Sequence, residues 1–310
     1  GLGQNIGRTI ALEAGIPETV CAHSINMVCG SGLRSVMEAV MSIQAGFNEI
    51  VIAGGVESMS LAPYLVPANT RSGNKMGNWQ AVDHMIYDAL TDARANIHMG
   101  ITAENIAARF NITREQQDEF AFASQQKAIA AIDAGKFKNE IVPITIHNKK
   151  GDIVFDTDEF PNRTTNLEKL AKLKPAFKGD GTVTAGNASG INDGASFVLV
   201  ASEAAVKKYN LKPIAEIIGI GQGGVDPLVM GLGPVPAIRN ALTYASLKLS
   251  DMELIELNEA FAAQSLGVIH ELVREHGVDR DALLKRTNVN GGAIALGHPV
   301  GASGNRILVT

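Results

Sequence analysis

An α/β fold is predicted for this chain, and three features of its pattern predict it. Short apolar segments at Ile50–Gly55, 214–224 and Leu254–Leu257 alternate with stretches of helical period at 31–46, 113–135 and 258–275. The stretch from about 60 to 190 breaks the alternation and reads as an inserted lobe. Cys29-Gly-Ser31-Gly32-Leu-Arg34 is echoed by Val300-Gly-Ala-Ser303-Gly304-Asn-Arg306, and both are small-residue turns that open a helix. The echo reads either as a trace of two related halves, 1–203 with its inserted lobe and 211–310, or as a chance likeness between glycine-rich turns.

The elements follow in order. Leu33, Val36, Met37, Val40 and Met41 form an apolar helical stripe, and Gly46 is placed as its C-cap. Ile50–Gly55 is a buried strand ending in glycines. Pro63, Pro67, Gly73 and Gly77 break the chain up to about Gly100. A helix at about 101–110 is followed by a second. Thr113 and Gln116 give the second a capping box, with Phe120, Ala123, Ala128, Ala131 and Ile132 on one face and Gly135 after it. Residues 141–160 are strand-like and polar. Arg163 to Lys178 holds five basic residues against Glu168, and Gly179–Gly194 is loop-like. Phe197–Val200 is a short strand, and 214–224 is a strand running into glycines. Leu254–Leu257 is a strand whose end, Asn258, opens a helix to about 275. The first residues read like the middle of a domain and the last like a helix just begun. The sequence therefore reads as cut at both ends, or as a short chain with frayed termini.

Composition excludes whole classes. The 310 residues, 45% hydrophobic and 19% charged, suggest about two domains and exclude a disordered chain, a coiled coil or a collagen-like repeat. A net charge of -5 gives no basis for a nucleic-acid binder. No apolar run approaches the ~18 residues of a membrane span. Two cysteines exclude a disulfide scaffold and fit a reducing compartment, so a cytoplasmic location is expected. No CxxC, HExxH or carboxylate cluster suggests a metal, there is no GxxxxGK[ST], and Ile52-Ala-Gly-Gly-Val lacks the GxGxxG pattern, which gives a dinucleotide fold little support.

Three residues carry candidate chemistry. Cys29 lies on a glycine-rich turn before a helix, where free N–H groups and the helix dipole are expected to lower its pKa and make a nucleophile. The alternative is a buried structural thiol. Cys21 lacks that context and reads as packing. His298 stands among five glycines beside Pro299, open to close approach by a reacting group. It is suited to take the Cys proton or to stabilise an enolate, or else it is satisfied by local turn hydrogen bonds. Asn258 is either an N-cap or a fixed amide that orients a water or carbonyl.

Three segments together resemble one family. Asn26-Met-Val-Cys29-Gly-Ser-Gly-Leu33, Asn258-Glu-Ala-Phe-Ala262 and Gly297-His298-Pro299 are similar to the nucleophile, Asn-Glu-Ala-Phe and Gly-His-Pro motifs of the thiolases. The long run Asn288–Gly304, together with Val183–Gly190 and His98–Asn105, extends the likeness over the whole chain. The resemblance implies a five-layered α-β-α-β-α fold of two like halves with an inserted loop lobe, in a homodimer or homotetramer. It implies condensation of two acetyl-CoA into acetoacetyl-CoA and CoA, with coenzyme A thioesters as substrates and no cofactor. Cys29 would be the acylated nucleophile, His298 its activator, and Asn258 the holder of a water in the enolate's oxyanion hole. His98, Met99, Phe177, Ala185, Ser189, Met230, Ala260 and Phe261 would line the pantetheine and acyl tunnel, and the basic run 163–178 would meet the nucleotide.

The family's fourth motif, a Cys-x-Gly-Gly-Gly strand whose Cys takes the α-proton, does not occur in these 310 residues. The family's first strand and helix are likewise expected before Gly1. The segment Arg274–Lys285 is longer and more charged than in many relatives. Competing readings are a degradative 3-ketoacyl-CoA thiolase, a catalytically incomplete CoA-binding remnant, a carrier-protein ketoacyl synthase and a cysteine hydrolase.

Overall fold

A computed structural model describes residues 2–310. In chain order the elements begin α1 (Ile6–Glu13), α2 (Ser31–Gln44), β1 (Ile50–Ser58), β2 (Tyr64–Leu65), β3 (Val82–Asp83), α3 (Met99–Phe110) and α4 (Arg114–Asp133). They continue β4 (Ile144–Ile146), β5 (Ile153–Phe155), α5 (Leu167–Ala171), β6 (Asp193–Ala201), α6 (Glu203–Lys208) and α7 (Pro234–Ala245). They end α8 (Ala262–His276), α9 (Arg280–Arg286), α10 (Ala293–Leu296) and α11 (Val300–Val309). The chain divides into two compact units. One comprises Gly1–Asn96, Ile191–Ala205 and Pro299–Arg306; the other comprises Ile97–Gly190, Val206–His298 and Ile307–Thr310. These units cut across the sequence halves, because most of the expected lobe groups with the second half's residues.

The first unit is built on β1 and β6. They pair antiparallel from Ile50↔Ala201 to Ser58↔Asp193. Val51, Ala53, Val198 and Val200 pack on Val36 and Ala39 of α2. The α2 stripe is therefore centred on Val36, Ala39 and Val40, while Leu33 and Met41 are exposed. Gly46 ends the helix as expected, at φ 76°, with Phe47 N–H on the Ser42 carbonyl in a Schellman arrangement.

The strand expected to stop at Gly55 runs on to Ser58, and its glycines serve packing rather than termination. A Cβ on Gly55 would collide with the Gly301 carbonyl, and one on Gly32 would stand 2.6 Å from Asn305 N. A Cβ on Gly304 would stand 2.5 Å from Leu33 N. Gly32 and Gly304 are equivalent positions of the internal echo, and they meet where α2 and α11 cross backbone to backbone over β1.

The second unit has a helical core. Ile106 of α3, Val268, Ile269 and Leu272 of α8 and Leu283 of α9 are buried together. The Thr113/Gln116 capping box forms and α4 ends before Gly135, as the spacing predicts. Its buried face differs from the expected one. Ala128 and Ala131 are inside, but so are Gln117, Asp118, Ser124 and Gln125, because each meets a hydrogen-bonding partner: Thr182, Asn187, Glu259 and the Ile294 carbonyl respectively. The polar stretch 141–160 forms the β4–β5 hairpin.

Two expected strands are corrected. Residues 214–224 form no strand. Ile214 and Ile218 are exposed, and Gly219, Gly221 and Gly223 lie against α7, where a Cβ on Gly221 would collide with the Ala237 carbonyl. Leu254–Leu257 makes a single parallel bridge, Ile255↔Thr287, and no ladder. No helix among the described residues is long and apolar enough to cross a membrane.

The helix crossing makes a testable demand. Gly55→Ala should destabilise the chain by ~1–3 kcal/mol or more, because backbone must move to admit a methyl. Gly224→Ala, with nothing within 4 Å of its Cβ position, should stay within ~0.5 kcal/mol. Urea denaturation of both variants tests this, and equal midpoints would rule out the crossing as a tight constraint.

Candidate active site

Cys29 sits in the 3-10 turn Val28–Gly30, immediately before α2. The turn is strained and held. Val28 adopts φ 48°, which for a β-branched residue costs ~1–3 kcal/mol. Asn26 Oδ1 accepts from Val28 N at 2.9 Å. Ser31 Oγ accepts from Met27 N at 2.8 Å and donates to the Val28 carbonyl at 2.7 Å. The backbone is thereby forced into one conformation around the thiol.

The expected lowering of the Cys29 pKa is corrected. Burial pushes the thiol up to about 11, a neighbouring Glu57 carboxylate adds to the rise, and a backbone N–H opposes both. Cys29 as a residue is half-buried, yet desolvation outweighs the helix terminus because amides of the turn already have partners. Gly30 N donates to the Met27 carbonyl and Ser31 N to the Val28 carbonyl. Glu57 is fixed in turn, its Oε2 accepting from Gly301 N at 3.0 Å. Cys21 is exposed, so its expected packing role is also corrected.

Asn258 and His298 belong to the second unit. Asn258 is no N-cap, because α8 opens at Ala262 with Phe261 at its N-cap. Its Oδ1 is buried without a hydrogen-bond partner, which is costly unless another molecule donates to it. The preceding segment is clamped by Asn288, whose Oδ1 accepts from Leu257 N and whose Nδ2 donates to the Leu257 carbonyl, both at 2.8 Å. His298 is buried and follows α10 through Gly297, at φ 96°.

The expected tunnel residues fall into one main cluster. The His98 and Phe177 rings stack at 4.6 Å, and Phe177 meets Phe261 edge-on at 6.0 Å. His98 caps α3 by accepting from Gly100 N at 3.0 Å, and burial lowers its pKa. Met99 opens the same helix. Ser189 N donates to the Ala260 carbonyl at 3.0 Å, and Ala188 bridges Phe261. Met230 lies in the 3-10 turn Pro227–Leu232, tied to α3 through Asn105 Nδ2 on the Leu228 carbonyl at 2.9 Å. Ala185 is exposed. The basic run is largely engaged elsewhere: Arg163 pairs with Asp133, Lys172 with Glu168 and Lys178 with Asp180.

The sequence reading missed three buried carboxylates. Glu104 accepts from Thr182 N at 2.9 Å, from Val183 N at 2.8 Å and from Thr182 Oγ1 at 3.1 Å. Asp118 accepts from Arg114 Nε at 2.8 Å and Asn187 Nδ2 at 2.9 Å. Together they moor the loop that carries Ser189. Glu259 does the same for the Asn258 segment. None of the three carries a local sequence signal, because donors to each lie far along the chain.

Cys29 stands on a fixed turn of the first unit, and a buried histidine and an orphaned asparagine carbonyl lie in the second. Comparison with known proteins gives the family. The family model described as "Thiolase, N-terminal domain" matches residues 1–204, and "Thiolase, C-terminal domain" matches 211–310. The chain belongs to the thiolase family and has its fold. An acetyl-CoA acetyltransferase of Syntrophomonas wolfei is 53% identical over 312 residues, covering 100% of this chain and 77% of that protein. One of Escherichia coli K12 is 53% identical over 310 residues, with the same coverage. The structure of the Syntrophomonas wolfei acetyl-CoA acetyltransferase superposes with TM-score 0.95 at 45% identity, over 100% of this chain and 77% of that one. The human mitochondrial 3-ketoacyl-CoA thiolase superposes with TM-score 0.91 at 48% identity, over 98% and 74%.

Glu57 gives a direct electrostatic test. Removing its charge removes a like-signed neighbour of the thiolate, so Glu57→Gln should lower the Cys29 pKa. Gln keeps an acceptor for Gly301 N. The pH midpoint of Cys29 alkylation by iodoacetamide, located by peptide mapping, should fall in the variant. Coincident titration curves would remove Glu57 from the account.

Proposed function

We propose that this chain condenses two acetyl-CoA into acetoacetyl-CoA and CoA, reversibly, through an acetyl group carried on Cys29. The single observation that carries the reading is the strained, doubly bonded turn that holds a desolvated thiol at the start of α2. The acetyl-CoA acetyltransferase names of the relatives support the choice of acyl group.

A thiol held near pKa 11 needs a base at the moment of attack, and His298 takes its proton. The thiolate adds to the thioester carbonyl carbon, the carbon–sulfur bond to CoA breaks, and the CoA thiolate recovers the proton from the imidazolium. A second acetyl-CoA then gives its α-proton to a base, the part played in the family by the fourth motif. His298 and a water donating to the Asn258 Oδ1 stabilise the enolate, which suits an acceptor left without a protein partner. The enolate carbon attacks the acetyl carbonyl, the bond to Cys29 breaks, and the thiolate is regenerated. Ping-pong kinetics follow from two half-reactions at one sulfur.

His98, Met99, Phe177, Ala185, Ser189, Met230, Ala260 and Phe261 are assigned to the thioester's pantetheine and acyl parts. Support comes from the stacked aromatic cluster and the strand-like pairing of the Ser189 loop with Ala260. Coenzyme A enters as part of the substrate rather than as a resident cofactor. A homodimer or homotetramer in the cytoplasm is the setting proposed for the chain. Cleavage of longer 3-ketoacyl-CoA is a second reading, raised by the human 3-ketoacyl-CoA thiolase superposition, and the acetyl-CoA acetyltransferase relatives speak for the acetyl reading over it.

Intact-mass measurement with peptide mapping, after brief exposure to acetyl-CoA, should show one acetyl group on Cys29. Cys29→Ser should abolish it. Acetylation that persists in Cys29→Ser at another site would overturn the nucleophile assignment. Turnover of acetoacetyl-CoA well above that of longer 3-ketoacyl-CoA favours the acetyl reading, and the reverse order favours the degradative one.

A further inference from the structure

We propose that Glu259 is a positioning residue for this reaction, holding the Asn258 backbone and the segment leading to His298 in one fixed geometry. Its carboxylate is buried and faces three donors. Oε2 accepts from Ser124 Oγ at 2.6 Å and from Ile294 N at 3.3 Å, and Oε1 accepts from Asn288 Nδ2 at 2.8 Å. Each donor belongs to a different piece of the site. Ser124 lies on α4, and its Oγ also accepts from Gly292 N at 3.0 Å. Asn288 clamps Leu257 from both sides. Ile294 lies in α10, four residues before His298.

One carboxylate therefore joins 257–259 to 288–294. Gly292 packs so closely that a Cβ there would collide with the Glu259 carboxylate. The group does not touch reacting atoms by this account; it acts through Asn258, its chain neighbour, and through the loop to His298.

The requirement is for an anion and not merely a polar side chain. Ser124 Oγ, Asn288 Nδ2 and Ile294 N all donate to it, so an amide would turn an NH2 group toward a donor on one side. The charge has support nearby. Glu259 and Glu256 favour the charged form of Lys127, against the burial that lowers its pKa. Lys127 Nζ donates to the Thr287 carbonyl at 3.0 Å, beside Asn288. A cavity of about 310 Å³ borders Glu259, Ser124, Lys127 and Asn288, so substitutions here loosen the site without overpacking it.

The inference rests on the acetyl-CoA reading, and its test separates the two. Glu259→Gln and Ser124→Ala are compared with wild type in the full chain. Amide hydrogen exchange across 288–298 reads the geometry without activity. Steady-state kinetics, normalised to the fraction of Cys29 that accepts acetyl, read its consequence. Exchange at Gly292 and Ile294 should quicken ~10-fold in Glu259→Gln. The value of kcat should fall ~10–100-fold with KM within about threefold, because small misplacement of catalytic groups costs rate rather than binding. Ser124→Ala, which leaves the carboxylate in place, should show the same split at ~3–10-fold.

Unchanged exchange in both variants overturns the proposal whatever the activity. So does a loss of turnover that disappears once normalised to acetylated Cys29, which a purely structural role would produce. A wild-type chain that takes no acetyl on Cys29 speaks against the functional reading, while the exchange rates still decide the role of Glu259.

Discussion

The backbone crossing of α2 and α11 over β1 is the constraint on which the first unit depends. Three segments meet there with almost no side-chain volume between them, at Gly32, Gly55, Gly301 and Gly304. The same crossing places the Cys29 turn, since a Cβ at Gly304 would stand 3.3 Å from the Cys29 carbonyl. It places Glu57 as well, because the Gly301 amide that Glu57 accepts from belongs to the first turn of α11. Packing and the electrostatics of Cys29 thus have one origin. Val28 is itself exposed and is held at φ 48° by the Asn26 and Ser31 side chains that bond its N–H and carbonyl.

The second unit solves a different problem by different means. Its functional segments are loops, and loops have no ladder to fix them. Glu104, Asp118 and Glu259 supply the missing constraint by accepting from backbone and side-chain donors on those loops. Burying an ionised carboxylate is costly unless its lone pairs are satisfied, and breaking such a network costs more than its bonds are separately worth. That asymmetry makes each carboxylate a strict positional device. It also explains why α4 buries Gln117, Asp118, Ser124 and Gln125 where an apolar face would be the default.

Local signals are legible in the sequence, and signals that depend on partners are not. The Thr113/Gln116 box, the Gly46 cap and the helices at α2, α3 and α11 follow from short-range chemistry, and all were legible. Cys29 and His298 stand out as candidates because glycines surround them, whereas Asn258 stands out only by its place at the end of an apolar run. The strands at 214–224 and 254–257 were misread because an apolar run shows the tendency to pair but not the partner. The glycines of β1 were read as a strand end because the sequence does not show that α11 lies across them. The buried carboxylates stayed invisible for the same reason, since an acidic residue reads as solvated until its donors, more than a hundred positions away for Ser124 and Glu259, are in view.

The correction at Cys29 changes how the nucleophile should be understood. A helix terminus tends to stabilise a thiolate, yet here burial and Glu57 together hold the thiol protonated in the resting chain. A resting thiolate would be exposed to oxidation and stray alkylation. A protonated thiol reacts only when a base removes its proton, the part that the proposed mechanism gives to His298. On that proposal the burden of activation shifts from the helix terminus to the histidine. Whatever fixes the segment before His298 then bears on the proposed activation, and in this chain that segment is fastened to the Glu259 carboxylate.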